Sequence, residues 1–188
     1  IFDLAWADED FDLDQWISDY LIRRYGGQSD NAEQAWELIK NANYDSGVRL
    51  TPELFGLRTG GVPKNIGKKD IGYDAEDLEN ALRLLLEDFD RFSGSEGYLY
   101  DLSEIMRQIC SNYTVLKYHE VIDARDAKDL EAFRQAKEEF LNAFDVLNEV
   151  QKTRQNQLAG EWIGKAQDRA AEYDDFSKST FEMNAKSL

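Results

Sequence analysis

Hydrophobic positions recur every three or four residues over most of this chain, which is the spacing of one face of an α-helix. The run Leu13–Tyr25 has this spacing, and Gly26 ends it because glycine readily adopts the left-handed backbone that closes a helix. At its start, Asp12 or Asp14 predicts an N-cap, since a carboxylate there accepts hydrogen bonds from free N–H groups of the first turn. No strand-like alternation of period two occurs along the sequence.

A second helical pattern begins after Ser29 or Asp30 and ends by Tyr44. Ser29 or Asp30 followed by Glu33 resembles a capping box. Asp74 predicts the N-cap of a third helix, whose apolar face continues until the sequence turns at residues 93–95. Each pattern therefore begins at a residue that satisfies free backbone donors.

Two long patterns follow, one from Tyr98 to about Asp123 and one from Leu130 to Leu147. Their steps of three and four predict the seam of two helices packed at a shallow angle, and we expect these helices to lie antiparallel. A further helix is predicted over 161–176, and residues 181–188 resemble the start of one more.

These patterns predict an all-α fold, an irregular helical bundle of about six to seven helices, in a single domain over residues 1–188. A chain of 188 residues with 42% hydrophobic content can bury a sizeable core. Residues 45–72 interrupt the helical pattern with six glycines and both prolines, so we expect one long loop there, and such loops are usually functional. No repeat of about 34 residues recurs, which disfavours a stacked-repeat adaptor.

Charge and cysteine content narrow the function classes. The net charge of −16 and the pI near 4.4 repel phosphate backbones and anionic lipid, so we expect neither nucleic acid nor membrane as a partner. The single cysteine, Cys110, lies in an apolar helical stretch and is interpreted as a buried, inert thiol. The loop carries a basic island around Arg58, which either docks on the acidic surface of the domain or forms one wall of a cleft.

Candidate metal and catalytic patterns fail on spacing. Asp8, Asp10 and Asp12 stand where a calcium loop begins, but such a loop needs glycine sixth and glutamate twelfth, and here Leu13 and Asp19 hold those places. The only histidine, His119, has no glycine-flanked nucleophile to serve. The sequence therefore predicts no metal site, no cofactor and no catalytic residue of its own. The four tryptophans are interpreted as core residues: Trp6, Trp16, Trp36 and Trp162.

Several stretches, in order and spacing, resemble a known family. They read FDLAWADEDFDLDQWISDYLIRRYG with AEQAWELIKNANY, then Tyr73-Asp74 leading to ALRLLLED, YLYDLSEIMRQICSNY, LAGEWI at Leu158–Ile163 and FEMNAK at Phe181–Lys186. The chain is similar to the C-terminal helical domain of the α-N-acetylglucosaminidases, glycoside hydrolase family 89. The resemblance covers nearly the whole chain, and the Arg-Arg-Tyr-Gly and LAGEWI stretches are its most specific parts.

The resemblance implies a retaining exo-enzyme that removes terminal α-linked N-acetylglucosamine with two glutamates of an upstream (β/α)8 barrel. This chain would be a C-terminal fragment of that enzyme, with residues 1–11 as the junction, and would be inactive alone. Its implied role is to pack on the barrel and close one side of the substrate pocket. The implied partners are the barrel and the glycan, and the implied location is secreted or periplasmic.

The sequence departs from the family pattern within the loop. Relatives commonly show Arg-Pro-Ser and then an aromatic residue before the helix start; here Arg58 stands for the arginine, and Gly72 occupies the aromatic position. Arg58 and Tyr73 are therefore the candidate residues of the substrate cleft. Two alternatives stay open at this point, a free-standing helical protein-interaction domain and a helical sugar-binding module that acts alone.

Overall fold

The structure, a computed structural model, describes residues 12–42, 73–155 and 158–186. Within these ranges it has eight helices and no strand, which confirms the all-α prediction. The helices are α1 (Leu13–Tyr25), α2 (Asp30–Lys40), α3 (Ala75–Glu87), α4 (Phe89–Phe92), α5 (Glu96–Asp126), α6 (Leu130–Lys152), α7 (Ala159–Arg169) and α8 (Asp175–Lys186). The four-residue α4 accounts for the difference from the expected six to seven. The predicted loop over 45–72 and the junction over 1–11 lie outside the described residues.

The two candidate N-caps at the start of α1 make different contacts. Asp12 is the N-cap, and its carboxylate accepts a hydrogen bond from the N–H of Gln15 at 3.0 Å. Asp14 instead pairs with Lys40 of α2 at 2.9 Å. Gly26 closes the helix with φ of 89°, a left-handed conformation that favours glycine. The acidic start of the helix thus caps α1 and joins it to α2.

The predicted capping box at α2 does not form. Ser29 is the N-cap and accepts from the N–H of Ala32 at 2.9 Å, which places Glu33 one position beyond the reach of the reciprocal bond. The Glu33 carboxylate instead accepts a hydrogen bond from the Ser18 hydroxyl of α1 at 2.6 Å. A residue that was predicted to cap its own helix therefore fastens α2 to α1.

The core lies where α1, α2, α3 and the first half of α5 meet. Tyr98 is fully buried there, and its hydroxyl donates to the backbone carbonyl of Leu85. Burial of each large apolar side chain contributes roughly 1.5–3 kcal/mol. The principal buried members are Leu21, Tyr25, Ala35, Ile39, Leu78, Ala81, Leu85, Phe92, Tyr98, Leu102 and Ile105.

Helices α5 and α6 form a long antiparallel pair, as the sequence predicted. Near the turn that joins them, Lys117 pairs with Glu139 at 2.6 Å, and far from it the Arg154 guanidinium lies 4.7 Å from the ring centre of Tyr100. The predicted seam is correct at Leu147, which is buried, but wrong at Leu130, which is exposed as the first residue of α6. None of the helices in the described parts of the chain is long and apolar enough to span a membrane.

The end of the chain corrects the helix predicted over 161–176. Helix α7 ends at Arg169 and α8 begins at Asp175, so Phe176 and Phe181 belong to one helix. The break has a local cause: the Asp174 carboxylate accepts from the N–H of Ser177 at 3.0 Å and from its hydroxyl at 2.9 Å. These same bonds lower the pKa of Asp174.

A close approach between α1 and α5 yields a stability prediction. A Cβ atom at Gly97 would lie 2.7 Å from Cγ and 2.9 Å from the backbone oxygen of Arg24, so the two helix ends would have to separate. We expect Gly97→Ala to lower the free energy of unfolding by about 1–3 kcal/mol in urea denaturation. The matched control is Gly94→Ala, whose Cβ meets nothing within 4 Å and should change it by less than about 0.5 kcal/mol. Equal effects would show that the approach is not tight.

The buried Tyr98 yields a pH prediction. Burial raises the pKa of Tyr98 to about 12, whereas tyrosine in an unfolded chain titrates near 10. Because the unfolded chain loses this proton first, the contribution is complete below pH 10 and is lost as the pH rises towards 12. We expect the free energy of unfolding, measured by urea denaturation from pH 8 to 11, to fall above pH 10, and to fall less steeply in Tyr98→Phe. An unchanged slope in that variant would contradict the assignment.

Candidate functional site

The most elaborate polar cluster in the described residues centres on Asp101 of α5. Arg24 donates to both carboxylate oxygens, from Nε to Oδ2 at 2.7 Å and from Nη2 to Oδ1 at 2.6 Å. Tyr25 donates its hydroxyl hydrogen to Oδ2 at 2.9 Å, and Trp36 of α2 donates Nε1–H to the Tyr25 hydroxyl at 2.9 Å. We call Arg24, Tyr25, Trp36 and Asp101 the Asp101 network. It joins α1, α2 and α5.

The electrostatics of the Asp101 network favour one protonation state. The hydrogen bonds that Arg24 donates to Asp101 raise the pKa of Arg24, and burial, followed by the charge of Asp101, raises the pKa of Tyr25. Arg24 therefore stays charged and Tyr25 stays a hydroxyl donor. The Asp101 side chain is only 10% exposed, and both of its oxygens accept hydrogen bonds. The arrangement therefore stabilises the bundle and leaves neither oxygen of Asp101 free for proton transfer.

A second cluster surrounds Tyr73 just before α3. Its hydroxyl lies 3.0 Å from Oδ1 and 2.9 Å from Nδ2 of Asn112, and Gln108 Nε2 donates to Asn112 Oδ1 at 3.0 Å. Gln108 and Asn112 are buried, and Tyr73 is half-buried. We call these three residues the Tyr73 cluster. It fixes the start of α3 against the middle of α5.

A cavity of about 220 Å³ lies beside the Tyr73 cluster, between α3, α5 and α6. Asn112 belongs to both, and the rest of the lining is largely apolar, including Ile109, Leu116 and Val146. Cys110 also faces the cavity; burial raises the pKa of its thiol, as expected of an inert cysteine. This chemistry suits packing against apolar groups better than acid–base catalysis.

The structure separates the candidates that the sequence raised. Tyr73 is placed and anchored, whereas Arg58 lies outside the described residues and stays a prediction. Asp12 caps α1, which confirms one of the two predicted N-caps. His119 lies on α5 beside Tyr118, with ring centres 6.1 Å apart. Over 12–42, 73–155 and 158–186, no three His, Cys, Asp or Glu side chains converge as a metal site would require.

Sequence reasoning missed the buried polar residues of α5. Asp101, Gln108 and Asn112 are spaced by seven and four residues, so they share a helix face with the apolar residues that predicted the core. A polar residue at such a position predicts a buried hydrogen-bonded partner, because burial without one is costly. That signal identifies the helix face, while the partners themselves come from distant segments.

The network residues lie within the stretches that carried the family resemblance. Residues 16–188 match the family model for the alpha-N-acetylglucosaminidase (NAGLU) C-terminal domain. The chain belongs to the NAGLU C-terminal domain family. The resemblance to family 89 glycoside hydrolases is thereby confirmed. The stretches that carry the NAGLU resemblance contact one another through the Asp101 network.

The NAGLU C-terminal domain forms only part of its relatives. This chain is 28% identical over 195 residues to the human protein "Alpha-N-acetylglucosaminidase", covering 98% of this chain and 25% of that protein. A family 89 glycoside hydrolase from Clostridium perfringens, solved with 2-acetamido-1,2-dideoxynojirmycin, has a TM-score of 0.86 and 28% identity over 99% of this chain. The chain covers 22% of that hydrolase, and so spans about a quarter of the length of its relatives.

The same hydrolase has also been solved with a substrate. That structure holds a variant of the Clostridium perfringens protein in complex with its substrate GlcNAc-alpha-1,4-galactose, with a TM-score of 0.84 and 28% identity over 99% of this chain. The NAGLU C-terminal fold described above therefore occurs in a hydrolase that binds an α-linked N-acetylglucosamine disaccharide.

The Asp101 network yields a test by substitution. Asp101→Asn keeps the shape of the side chain but removes the charge that holds Arg24, which is 26% exposed in the pair. We expect the free energy of unfolding to fall by about 2–4 kcal/mol, somewhat less than for a fully buried pair. The control is Glu149→Gln, which breaks the exposed 2.6 Å pair with Lys152 and should change it by less than about 0.5 kcal/mol. Urea denaturation at pH 7 measures both, and similar losses would refute the central role of Asp101.

Proposed function

We propose that this chain is the helical C-terminal module of an exo-acting α-N-acetylglucosaminidase. In this role it packs on an upstream catalytic barrel of the same polypeptide and closes one side of the pocket that takes terminal α-linked N-acetylglucosamine. The observation that carries the proposal is the match over nearly the whole chain to the family, together with similarity to a hydrolase solved with its disaccharide substrate.

The chemistry of the described residues favours a structural role for this chain over a catalytic one. A retaining glycosidase places two carboxyl groups about 5–5.5 Å apart across the scissile bond, one of them able to donate a proton. The buried Asp101 is held by Arg24 and Tyr25 and so is not available for either task. By the family resemblance, we assign both catalytic glutamates to the barrel and none to this chain.

Tyr73 fits the module as a cleft residue whose position is fixed from behind. Asn112 and Gln108 hold its hydroxyl inside the bundle, and its ring packs partly against the core, so the part of Tyr73 left for a sugar is the exposed part of its ring. Aromatic faces contribute apolar contact to sugar rings, which present C–H groups on one side. Arg58 is the second proposed cleft residue, by its place in the family pattern alone.

The proposal is tested by hydrolysis of an aryl α-N-acetylglucosaminide. We expect turnover by the complete polypeptide that contains this chain and none by residues 1–188 alone, because the acid/base and nucleophile are absent from them. In the complete polypeptide, Tyr73→Ala should raise KM and lower kcat/KM by about tenfold, the effect of losing about 1.4 kcal/mol of contact.

Two results would contradict the proposal. Turnover by residues 1–188 alone would return the catalytic glutamates to this chain. A complete coding sequence that begins near Ile1, with no upstream strands and helices, would favour the free-standing interaction domain instead.

A further inference from the structure

The last two helices bury almost nothing. We call residues 158–186 the C-terminal hairpin; it consists of α7 and α8, and its only buried residue is Ala170. Phe176 is 81% exposed and Met183 is 61% exposed, and Tyr173 and Trp162 are also mostly exposed. The prediction that Trp162 is a core residue is therefore wrong for the described parts of the chain. So many large apolar side chains on one hairpin mark an interaction surface.

The internal contacts of the C-terminal hairpin are modest. Tyr173 stacks on Phe181 with ring centres 5.8 Å apart, and Gln167 donates to Glu182 at 3.0 Å. Its helices have 11 and 12 residues, and isolated helices of this length are marginal in water unless an apolar face is buried. Phe176 and Met183 lie seven residues apart and so share one face of α8. This face supplies the area that a covering surface would bury.

The length of the solved relatives supports one choice of covering surface. The similarity to the Clostridium perfringens hydrolase extends over 99% of this chain, so the hairpin belongs to the shared fold. That hydrolase devotes only 22% of its chain to this fold, which leaves most of the polypeptide available as a packing surface. Two stretches that carried the family resemblance, LAGEWI and FEMNAK, lie on the hairpin. The sequence specificity of the family therefore extends to a surface that this bundle does not bury.

The charge of the hairpin also suits burial against protein. Residues 158–186 carry six acidic and four basic side chains, a net charge of −2, whereas the whole chain carries −16. Some of these charges are already paired, as Glu182 is with Lys186. A nearly neutral, apolar surface can be covered with a small desolvation cost.

We propose that the C-terminal hairpin, through Phe176 and Met183, is the surface by which this module docks on the catalytic part of the same polypeptide. This inference rests on the proposed function and identifies the docking surface within it. The hairpin is then stabilised chiefly by that contact, while the Asp101 network holds the rest of the bundle together without it.

Hydrogen–deuterium exchange tests the inference on the complete polypeptide and on residues 1–188 alone. We expect backbone amides of α8 to exchange at least about tenfold more slowly in the complete polypeptide, because docking suppresses local unfolding. The double substitution Phe176→Glu with Met183→Glu should abolish this difference. The matched control is Leu141→Glu, on α6 and 51% exposed, which should preserve it.

The outcomes separate the inference from the function on which it rests. Equal exchange of α8 in both proteins would overturn the docking surface, even if the complete polypeptide hydrolyses an aryl α-N-acetylglucosaminide. Protection that depends on protein concentration would also overturn it, since the hairpin would then bind a second copy. Protection in a complete polypeptide that lacks hydrolysis would support the docking surface while removing the proposed enzyme activity.

Discussion

The arrangement of the bundle depends on the hydrogen bonds that the carboxylate of Asp101 accepts. It holds the last turn of α1 through Arg24 and Tyr25, and it holds α2 at one remove because Trp36 donates to the Tyr25 hydroxyl. A buried ion pair adds little net stability compared with apolar packing, yet breaking one partner is strongly destabilising. The network therefore acts mainly as a constraint on the relative placement of three helices, and the close contact at Gly97 constrains α1 against α5 sterically.

This constraint explains why the chain resembles its family so specifically while holding no assigned catalytic group. The Arg-Arg-Tyr-Gly stretch supplies a bidentate donor, a second donor and a left-handed helix end in four consecutive residues. The Trp36 and Asp101 stretches supply its partners. These motifs determine how the helices pack. The packing in turn positions the two surfaces for which a function is proposed above: the start of α3 with Tyr73, and the C-terminal hairpin. In the function proposed above, the first surface contributes to the sugar pocket and the second attaches the module.

Much of the fold could be predicted because it depends on local physics. Apolar periodicity placed the helices, and the caps at Asp12, Gly26 and Asp74 follow from side-chain chemistry within a few residues. The break between α7 and α8 has a local cause in the cap at Asp174, but at two other positions a distant partner overrode a local signal. Glu33 accepts a hydrogen bond from Ser18 and forms no capping box, and Asp14 pairs with Lys40 and does not cap α1.

The functional surfaces were harder to predict than the fold. Trp162 has the spacing of a core residue, and only the structure shows that it is exposed on a helix that buries none of its residues. Asp101 looked like one of 38 acidic residues until Arg24, 77 positions away, identified its role. Tyr73 was proposed from its place in a family pattern, and its bonds to Asn112 add a physical reason for its position. Arg58 rests on the family pattern alone.

The most direct test of this account is a double-mutant cycle between Trp36 and Asp101. The two side chains are joined through the Tyr25 hydroxyl, so Trp36→Phe and Asp101→Asn should interact only if the network acts as one unit. We predict a coupling energy of about 1 kcal/mol or more from urea denaturation of the wild type, both single variants and the double variant. Additive effects, within about 0.3 kcal/mol, would contradict the claim that Asp101 holds α1, α2 and α5 as a single arrangement.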